Sequence, residues 1–206
     1  MSEEKSISLN GFNFDDFYKS LGHKEKYYYN KIDEFFKGCS KSNITMMIDI
    51  INSNSKISLR ILDWFITKYS DQYKIRYKNK RDNDGSYFNV HASYVSQLGS
   101  YKKQYFDPFR RYCKFWYNYD KKNDEKVIYT TIGQLNFFKW AIEYDVLDFI
   151  DINYDKLIAA MNKSNKDMKE KKIKDNDTKS NTTTLTKTSI VKTTYSDTNS
   201  LIISFE

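Results

Sequence analysis

The stretch 131-TIGQLNFFKWAIEYDVLDFI-150 decides the fold, because its apolar side chains recur with the period of a helix. The side chains at core spacing are Leu135, Phe138, Ile142 and Val146. Thr131 and Gln134 fit a capping box, in which the Thr131 hydroxyl accepts from the Gln134 amide and the Gln134 side chain returns to the Thr131 amide. The pattern therefore predicts one amphipathic helix over residues 134–150.

Helices and strands alternate in the sequence before this stretch. The spacing of apolar residues predicts helices at 24–38, 42–55, 58–70 and 93–106, the third of them capped by Ser58. Alternation predicts strands at 73–77, 87–93, 113–119 and 126–131, and Asp84-Gly85 is a strong hairpin signal between the first two. Pro108 is expected to end the helix 93–106. This order predicts an α+β fold, with a small antiparallel sheet packed with helices.

Composition divides the chain into four segments. Residues 1–55 are predicted to form a helical N-terminal extension, and residues 56–161 the α+β core domain. Residues 162–199 form a Lys/Asn/Thr/Ser-rich linker, predicted to be disordered because it has too few apolar side chains to offset the entropy of ordering. Residues 200–206 form a short apolar C-terminal peptide, whose alternating Leu201, Ile203 and Phe205 could add a strand to the sheet edge of a viral protein partner.

Positive charge is concentrated in one half of the core domain. The 206-residue chain has a net charge of +7, and residues 56–114 contain 13 basic and 5 acidic residues, whereas residues 115–161 contain 5 and 8. Such an excess attracts polyanions. The cations fall into two groups, one at residues 68–81 and the other at residues 101–114, beside the only proline. The nucleic-acid hypothesis requires that these two groups converge on one surface.

Aromatic rings lie among these cations, and 17% of the residues are aromatic. Basic side chains bind phosphates, and exposed rings stack on unpaired bases. The residues assigned to nucleic-acid binding are Lys74, Arg76, Lys78, Lys80, Arg81, Tyr101, Lys102, Lys103, Arg110, Arg111, Tyr112 and Lys114; Tyr77, Tyr105 and Trp116 are further stacking candidates. The alternative interpretation is a solvated basic surface without a partner, with the rings packed in the core.

The sequence contains little that predicts catalysis. It lacks the glycine-rich phosphate loops and the zinc-protease motif, and His23 and His91 lie far from each other and from either cysteine. The carboxylates available to a metal nuclease, at Asp82, Asp84, Asp120 and Asp124, fall in turn loops where aspartate is common for backbone reasons. We therefore expect no enzyme activity, no metal and no cofactor. Two isolated cysteines indicate a reducing compartment, and neither a signal peptide nor a membrane span is expected.

Three blocks, at residues 59–70, 88–111 and 130–150, resemble a family of small, basic, functionally uncharacterised proteins of nucleocytoplasmic large DNA viruses, including mimivirus-like giant viruses. The distinctive block is KSQLKAYSKKxFDPFxRR. Its matches here are Gln97, Leu98, Tyr101, Lys103, Phe106, Asp107, Pro108, Phe109, Arg110 and Arg111, while Val95 and Gly99 depart from it. The resemblance implies a viral source and a location in the host cytoplasm, at the viral factory, or in the virion. It implies no activity.

These observations lead to two hypotheses of different kinds. The first is a noncatalytic nucleic-acid-binding protein of a large DNA virus, acting in genome handling, transcription or packaging. The second is a protein-interaction adaptor or virion component that uses the C-terminal peptide as a docking strand. The oligomeric state and the choice between DNA and RNA do not follow from the sequence.

Overall fold

The computed structural model describes residues 12–79, 87–120 and 126–180, with side chains as far as residue 171. The helices are α1 (Phe14–Ser20), α2 (His23–Lys37), α3 (Lys41–Ile51), α4 (Leu59–Trp64), α5 (Ser70–Gln72), α6 (Val90–Tyr101), α7 (Ile132–Glu143), α8 (Val146–Ile152) and α9 (Tyr154–Ser180). A π-helical turn, Phe65–Tyr69, joins α4 to α5, and a 3-10 turn, Lys103–Tyr105, follows α6. The strands are β1 (Arg76–Tyr77), β2 (Phe88–Asn89), β3 (Phe115–Asn118) and β4 (Val127–Thr130).

The predicted α+β class is confirmed, although the four strands form two separate antiparallel ribbons instead of one sheet. In the first ribbon Arg76 pairs with Asn89, so the predicted hairpin pairing is present, while its Asp84-Gly85 turn lies outside the described residues. The predicted strand 87–93 is wrong beyond Asn89. The Asn89 side chain accepts from the Ala92 amide at 3.0 Å and begins α6, so His91 is on a helix and not on a strand.

Helix α7 is buried on nearly every side. Nine of its twelve residues are buried, which is more than the single apolar face that the sequence predicted. Helix α2 packs against it and contributes to the same core the buried side chains of Tyr28, Ile32 and Phe36. The described part of the predicted extension 1–55, residues 12–55, thus shares the compact unit Met1–Met161 with residues 56–161.

The predicted helix 134–150 is two helices. Asp145 adopts a left-handed backbone, with φ of 54° and ψ of 22°, and this residue separates α7 from α8. The break allows Val146 and Ile150 to be buried from a second direction. Period alone could not locate it, because apolar residues continue across it at helical spacing.

The second unit, Asn162–Glu206, is described as far as Ser180, and its described part belongs to helix α9. Helix therefore occupies residues 162–180 of the predicted linker, and the remainder of that linker lies outside the described residues. Lys166 and Glu170 are one turn apart, with Nζ and Oε1 at 4.0 Å, which favours helix at this polar sequence. In the described ranges, no helix has the length and apolar character needed to cross a bilayer.

Candidate nucleic-acid interface

Residues 101–114, called here the basic segment, begin where α6 stops. Lys102 has φ of 65° and ψ of 150°, a backbone region that is populated almost entirely by glycine. The reversal ends α6 at Tyr101, so the prediction that Pro108 ends a helix reaching residue 106 is wrong. The chain then forms the 3-10 turn Lys103–Tyr105. Lys102 therefore occupies a position whose backbone conformation would cost glycine less steric strain.

Helix α7 packs against the middle of the basic segment and holds it in place. The buried Asn136 Nδ2 donates to the Tyr105 carbonyl at 2.9 Å. Gly133 lies so close that a β-carbon there would be 3.0 Å from the Gln104 carbonyl oxygen. Phe106, only 1% exposed, inserts its ring among the aromatic side chains of the core. These contacts position residues 104–106 against α7 and the core.

The predicted capping box of α7 is only half formed. The Thr131 hydroxyl accepts from the Gln134 amide at 3.0 Å, as predicted. The Gln134 side chain does not return to Thr131. Its Oε1 accepts from the Thr130 hydroxyl at 2.8 Å, and its Nε2 donates to the Pro108 carbonyl at 3.4 Å. The glutamine thus ties the start of α7 to β4 and to the turn of the basic segment.

Asp107 turns the chain outward after Phe106. Its Oδ1 accepts from the Phe109 amide at 2.9 Å, which is typical of aspartate in a turn, and the Phe109 side chain is 48% exposed. Burial is the largest cause that raises the pKa of the Asp63 carboxyl, and the negative charge of nearby Asp107 is the second. The single carboxylate of the basic segment therefore interacts with α4.

The cations of the basic segment are exposed. They are Lys102, Lys103, Arg110, Arg111 and Lys114. In the described part of the chain, no carboxylate forms an ion pair with any of them; the described ion pairs involve other lysines. The basic segment thus carries five positive charges that form no ion pair with a described carboxylate, a property suited to binding a polyanion.

The aromatic side chains of the basic segment differ in accessibility. Tyr105 is 8% exposed, and its hydroxyl donates to Glu25 Oε1 at 3.3 Å. Tyr101 packs its ring against Tyr28, with the centroids 5.0 Å apart, and burial raises the pKa of its hydroxyl. Tyr112 is 46% exposed and meets Tyr105 edge to face. Of the two assigned rings, Tyr112 is therefore the accessible one.

Helix α2 adds a cation that the sequence analysis missed. Lys24 Nζ lies 5.6 Å from the centroid of Tyr28 and 5.8 Å from that of Tyr105, so it sits beside the basic segment. Glu25, on the same turn of α2, brings one negative charge to this edge. No sequence signal links α2 to residue 105, because their proximity depends on tertiary packing.

The second predicted group of cations, around strand β1, is less available. Lys74 Nζ is 2.8 Å from Asp71 Oδ1. Arg76 and Lys78 are exposed, and Lys78 Nζ lies 5.8 Å from the Tyr87 ring, whereas Lys80 and Arg81 lie outside the described residues. Tyr77 is unsuited to base stacking. Its hydroxyl donates to the Tyr144 carbonyl at 2.8 Å and its ring is stacked on Phe149, and burial raises the pKa of its hydroxyl.

The two groups of cations are anchored at opposite ends of α7. Gly133, near the first turn, faces the backbone of residues 104–107, whereas the Glu143 carbonyl, in the last turn, accepts from Asn79 Nδ2 at 3.3 Å. Ten residues of helix separate these anchors, which is about 15 Å. These anchors indicate two separate groups of cations, whereas the nucleic-acid hypothesis assumed that the groups converge into one patch. Of the two groups, the basic segment is the better candidate for binding nucleic acid.

A separate cleft of about 710 Å³ lies between α2, α3 and the β3–β4 ribbon. Its walls include the apolar side chains of Phe36, Ile44 and Ile48. At its polar side Lys37 Nζ is 2.8 Å from Asp33 Oδ2, and the Tyr117 hydroxyl donates to Asp33 Oδ1 at 3.4 Å. Within the described ranges, no group of three or more His, Cys, Asp or Glu side chains is arranged to hold a metal ion.

Several of the remaining candidate residues lie outside the described part of the chain. Leu201, Ile203 and Phe205 lie outside the described residues, as do Asp82, Asp84 and Asp124. Cys39 is half-buried and Cys113 is exposed, and the two are not joined by a disulfide. His91 Nδ1 lies 3.1 Å from the Ile66 carbonyl oxygen in the π-helical turn, where it links α6 to the helical segment before it.

Comparison with known proteins identifies relatives without an assigned function. A family of unknown function, DUF7197, matches residues 14–205. The chain is 40% identical over 151 residues to "Uncharacterized protein L507" of Acanthamoeba polyphaga mimivirus, an alignment that covers 72% of this chain and 58% of that protein. The resemblance to giant-virus proteins is thereby confirmed, without support for describing them as small and basic. The chain thus spans little more than half of this relative's length, and no solved structure matches it.

Proposed function

We propose, from the premise that the chain belongs to the family of unknown function that matches residues 14–205, that it is a noncatalytic protein that binds nucleic acid through the basic segment. One observation carries the proposal. The five cations of that segment are exposed, and within the described chain they have no carboxylate partners, while the middle of the segment is bonded to α7 at Tyr105 and Pro108. Positive charges that no described carboxylate neutralises favour a phosphate polymer as ligand over the alternative of a solvated surface without a partner.

Arg110 and Arg111 have the clearest role in the proposal. Each guanidinium can bind a phosphate with two parallel hydrogen bonds, which a lysine ammonium cannot do. Both follow the turn in which the Asp107 carboxylate accepts from the Phe109 amide, and both side chains are exposed. Lys102 and Lys103 would add phosphate contacts from the same segment, and Lys24 from α2 beside Tyr105. In a giant virus such binding would serve genome handling, transcription or packaging, at the viral factory or in the virion.

The test is the affinity of the full chain for fluorescently labelled DNA and RNA, measured by anisotropy at two salt concentrations. We expect binding that weakens as salt rises, because each phosphate contact releases a counterion. The double variant Arg110→Ala/Arg111→Ala should bind about tenfold or more weakly and show a smaller salt dependence.

A matched control removes the same charge elsewhere. Lys19→Ala/Lys31→Ala also lowers the net charge from +7 to +5, but it changes exposed lysines of α1 and α2 that are paired with Asp16 and Glu34. We expect this control to keep affinity within about twofold. Equal losses in the two double variants would show that only net charge matters, and salt-independent or absent binding would refute the proposal.

The adaptor alternative, in which residues 200–206 dock on a viral partner as a strand, stays a prediction. Deleting residues 200–206 and comparing the proteins retained by the full and shortened chains in a pull-down from infected cells tests it. An unchanged set of retained proteins would remove the adaptor hypothesis.

A further inference from the structure

The β3–β4 ribbon carries an aromatic pair on its outer face. Its register places Trp116 opposite Tyr129, with the ring centroids 5.0 Å apart. The flanking residues of the same strands, Phe115, Tyr117 and Ile128, point to the core and are buried. Tyr129, in contrast, is 47% exposed, and Trp116 is half-buried. Strand alternation thus leaves two large rings side by side at the solvent face.

The aromatic pair continues the basic segment directly. Lys114, the last cation of that segment, immediately precedes β3, and its Nζ lies 5.1 Å from the centroid of the Tyr129 ring. Arg110 and Arg111 lie a few residues further back on the same exposed stretch, without described carboxylate partners. Charge suited to phosphates and ring surface suited to bases therefore follow one another along a short length of chain.

This combination discriminates between forms of nucleic acid. In a duplex the faces of the bases are stacked on one another and only the phosphates and base edges are accessible, so exposed rings gain little. In a single strand, bases can turn outward and stack on aromatic side chains while cations hold the backbone. The occupied rings of Tyr77, Tyr101 and Tyr105 cannot serve this purpose, since their faces are packed against other side chains.

We infer that the outer face of the β3–β4 ribbon is a stacking platform for single-stranded nucleic acid, in which Trp116 and Tyr129 bind bases while Lys114, Arg110 and Arg111 bind the adjoining phosphates. This inference rests on the proposed function and specifies its ligand. The competing role for the pair is purely structural, as a cross-strand contact that stabilises the ribbon.

The experiment compares three labelled probes with the full chain at one salt concentration: a 15-nucleotide oligo-dT, a 15-nucleotide oligo-U and a 15-base-pair DNA duplex. The variant Tyr129→Leu removes the ring and keeps an apolar side chain of similar bulk. We expect it to bind the single strands about tenfold more weakly and the duplex within about twofold of the natural chain, because stacking acts on unpaired bases. The ratio of oligo-dT to oligo-U affinity distinguishes DNA from RNA as the ligand.

The matched control is Tyr87→Leu, which removes a ring that is 65% exposed and also lies beside a lysine, but immediately before strand β2. It should bind all three probes like the natural chain. An independent readout is tryptophan fluorescence: Trp64 and Trp140 are 8% and 2% exposed, so quenching by a single strand should come from Trp116 and disappear in Trp116→Leu. This readout works on the natural chain even if a variant fails to fold.

The outcomes separate the inference from the proposed function. If no probe binds the natural chain, the proposed function fails and the platform with it. Two results for Tyr129→Leu would refute the platform alone, provided that Arg110→Ala/Arg111→Ala loses binding. The first is that Tyr129→Leu still binds single strands like the natural chain, and the second is that it loses affinity for single strands and duplex equally. Absence of Trp116 quenching by a bound single strand also refutes it.

Discussion

The Asn136 side chain, buried in α7, donates to the Tyr105 carbonyl at 2.9 Å and so joins the centre of the fold to the segment that carries its exposed charge. The bond spans 31 residues of sequence and is made away from solvent. The Asn136 amide pairs a buried backbone carbonyl that would otherwise lack a hydrogen-bond donor. The bond should therefore affect both the free energy of unfolding and the conformation of the proposed interface.

Asn136→Ala should therefore lower the free energy of unfolding by about 1–3 kcal/mol, measured by urea denaturation. It should also speed hydrogen exchange at the Tyr105 and Asp107 amides, which donate to the Lys102 and Lys103 carbonyls in and beside the 3-10 turn. The control is Asn153→Ala, which deletes a local bond to the Phe149 carbonyl at the end of α8. Faster exchange at residues 105 and 107 in both variants would contradict the specific role of Asn136.

Two helical glycines should respond in opposite directions to alanine. Gly133→Ala would bring a β-carbon to 3.0 Å from the Gln104 carbonyl and 3.3 Å from the Phe106 amide nitrogen, so it should destabilise the fold. At Gly99, in α6, nothing lies within 4 Å of such a carbon, and Gly99→Ala should stabilise by about 1 kcal/mol through helix propensity. Thermal unfolding measures both, and a rise in Tm for Gly133→Ala would show that the turn can move away.

The two phenylalanines that flank Asp107-Pro108 should contribute unequally to stability. Phe106→Ala removes a ring that is 1% exposed, and we expect a loss of about 3–5 kcal/mol. Phe109 is 48% exposed, and Phe109→Ala should change the free energy of unfolding by no more than about 0.5 kcal/mol. Urea denaturation distinguishes these values easily. Similar losses at the two positions would mean that Phe109 is also part of the core.

Asp63 should make stability depend on pH. Burial first, and then the charge of Asp107, raises the pKa of the Asp63 carboxyl above 3.8, while Lys68 opposes the shift. A raised pKa means that stability is fully present below about pH 4 and is lost as pH rises through the folded value. Asp63→Asn should therefore raise the Tm at pH 7 and have little effect below pH 4. The exposed Asp155→Asn should bring no gain at either pH, and a pH-independent gain in Asp63→Asn would contradict the ionisation argument.

The sequence predicted those parts of the fold that depend on local periodicity. The helix predicted at 58–70 from apolar spacing is present as α4, the π-helical turn and the start of α5. Ser58 caps α4 as predicted, with its hydroxyl accepting from the Ile61 amide at 3.3 Å. The limits of α6 were missed at both ends. Its start depends on the Asn89 side chain and its end on the unusual backbone of Lys102, neither of which leaves a periodic signal.

The candidate site was predictable as chemistry and not as geometry. Arg110 and Arg111 were identifiable from their position beside Pro108, but the contribution of Lys24 depends on α2 packing against the 3-10 turn. Likewise, Tyr77 and Tyr112 look equivalent in sequence, although one is packed against Phe149 and the other is 46% exposed. Exposure of a ring is set by tertiary contacts, which residue order does not specify.

The backbone of Lys102 places stability and affinity in opposition at one position. A glycine there would adopt the same φ of 65° and ψ of 150° without the steric cost, so Lys102→Gly should gain about 1 kcal/mol in the free energy of unfolding. The same change removes a charge that the proposed interface uses. An effort to engineer a more heat-resistant variant would choose glycine at once, whereas selection for tighter polyanion binding would retain lysine and accept a less stable protein.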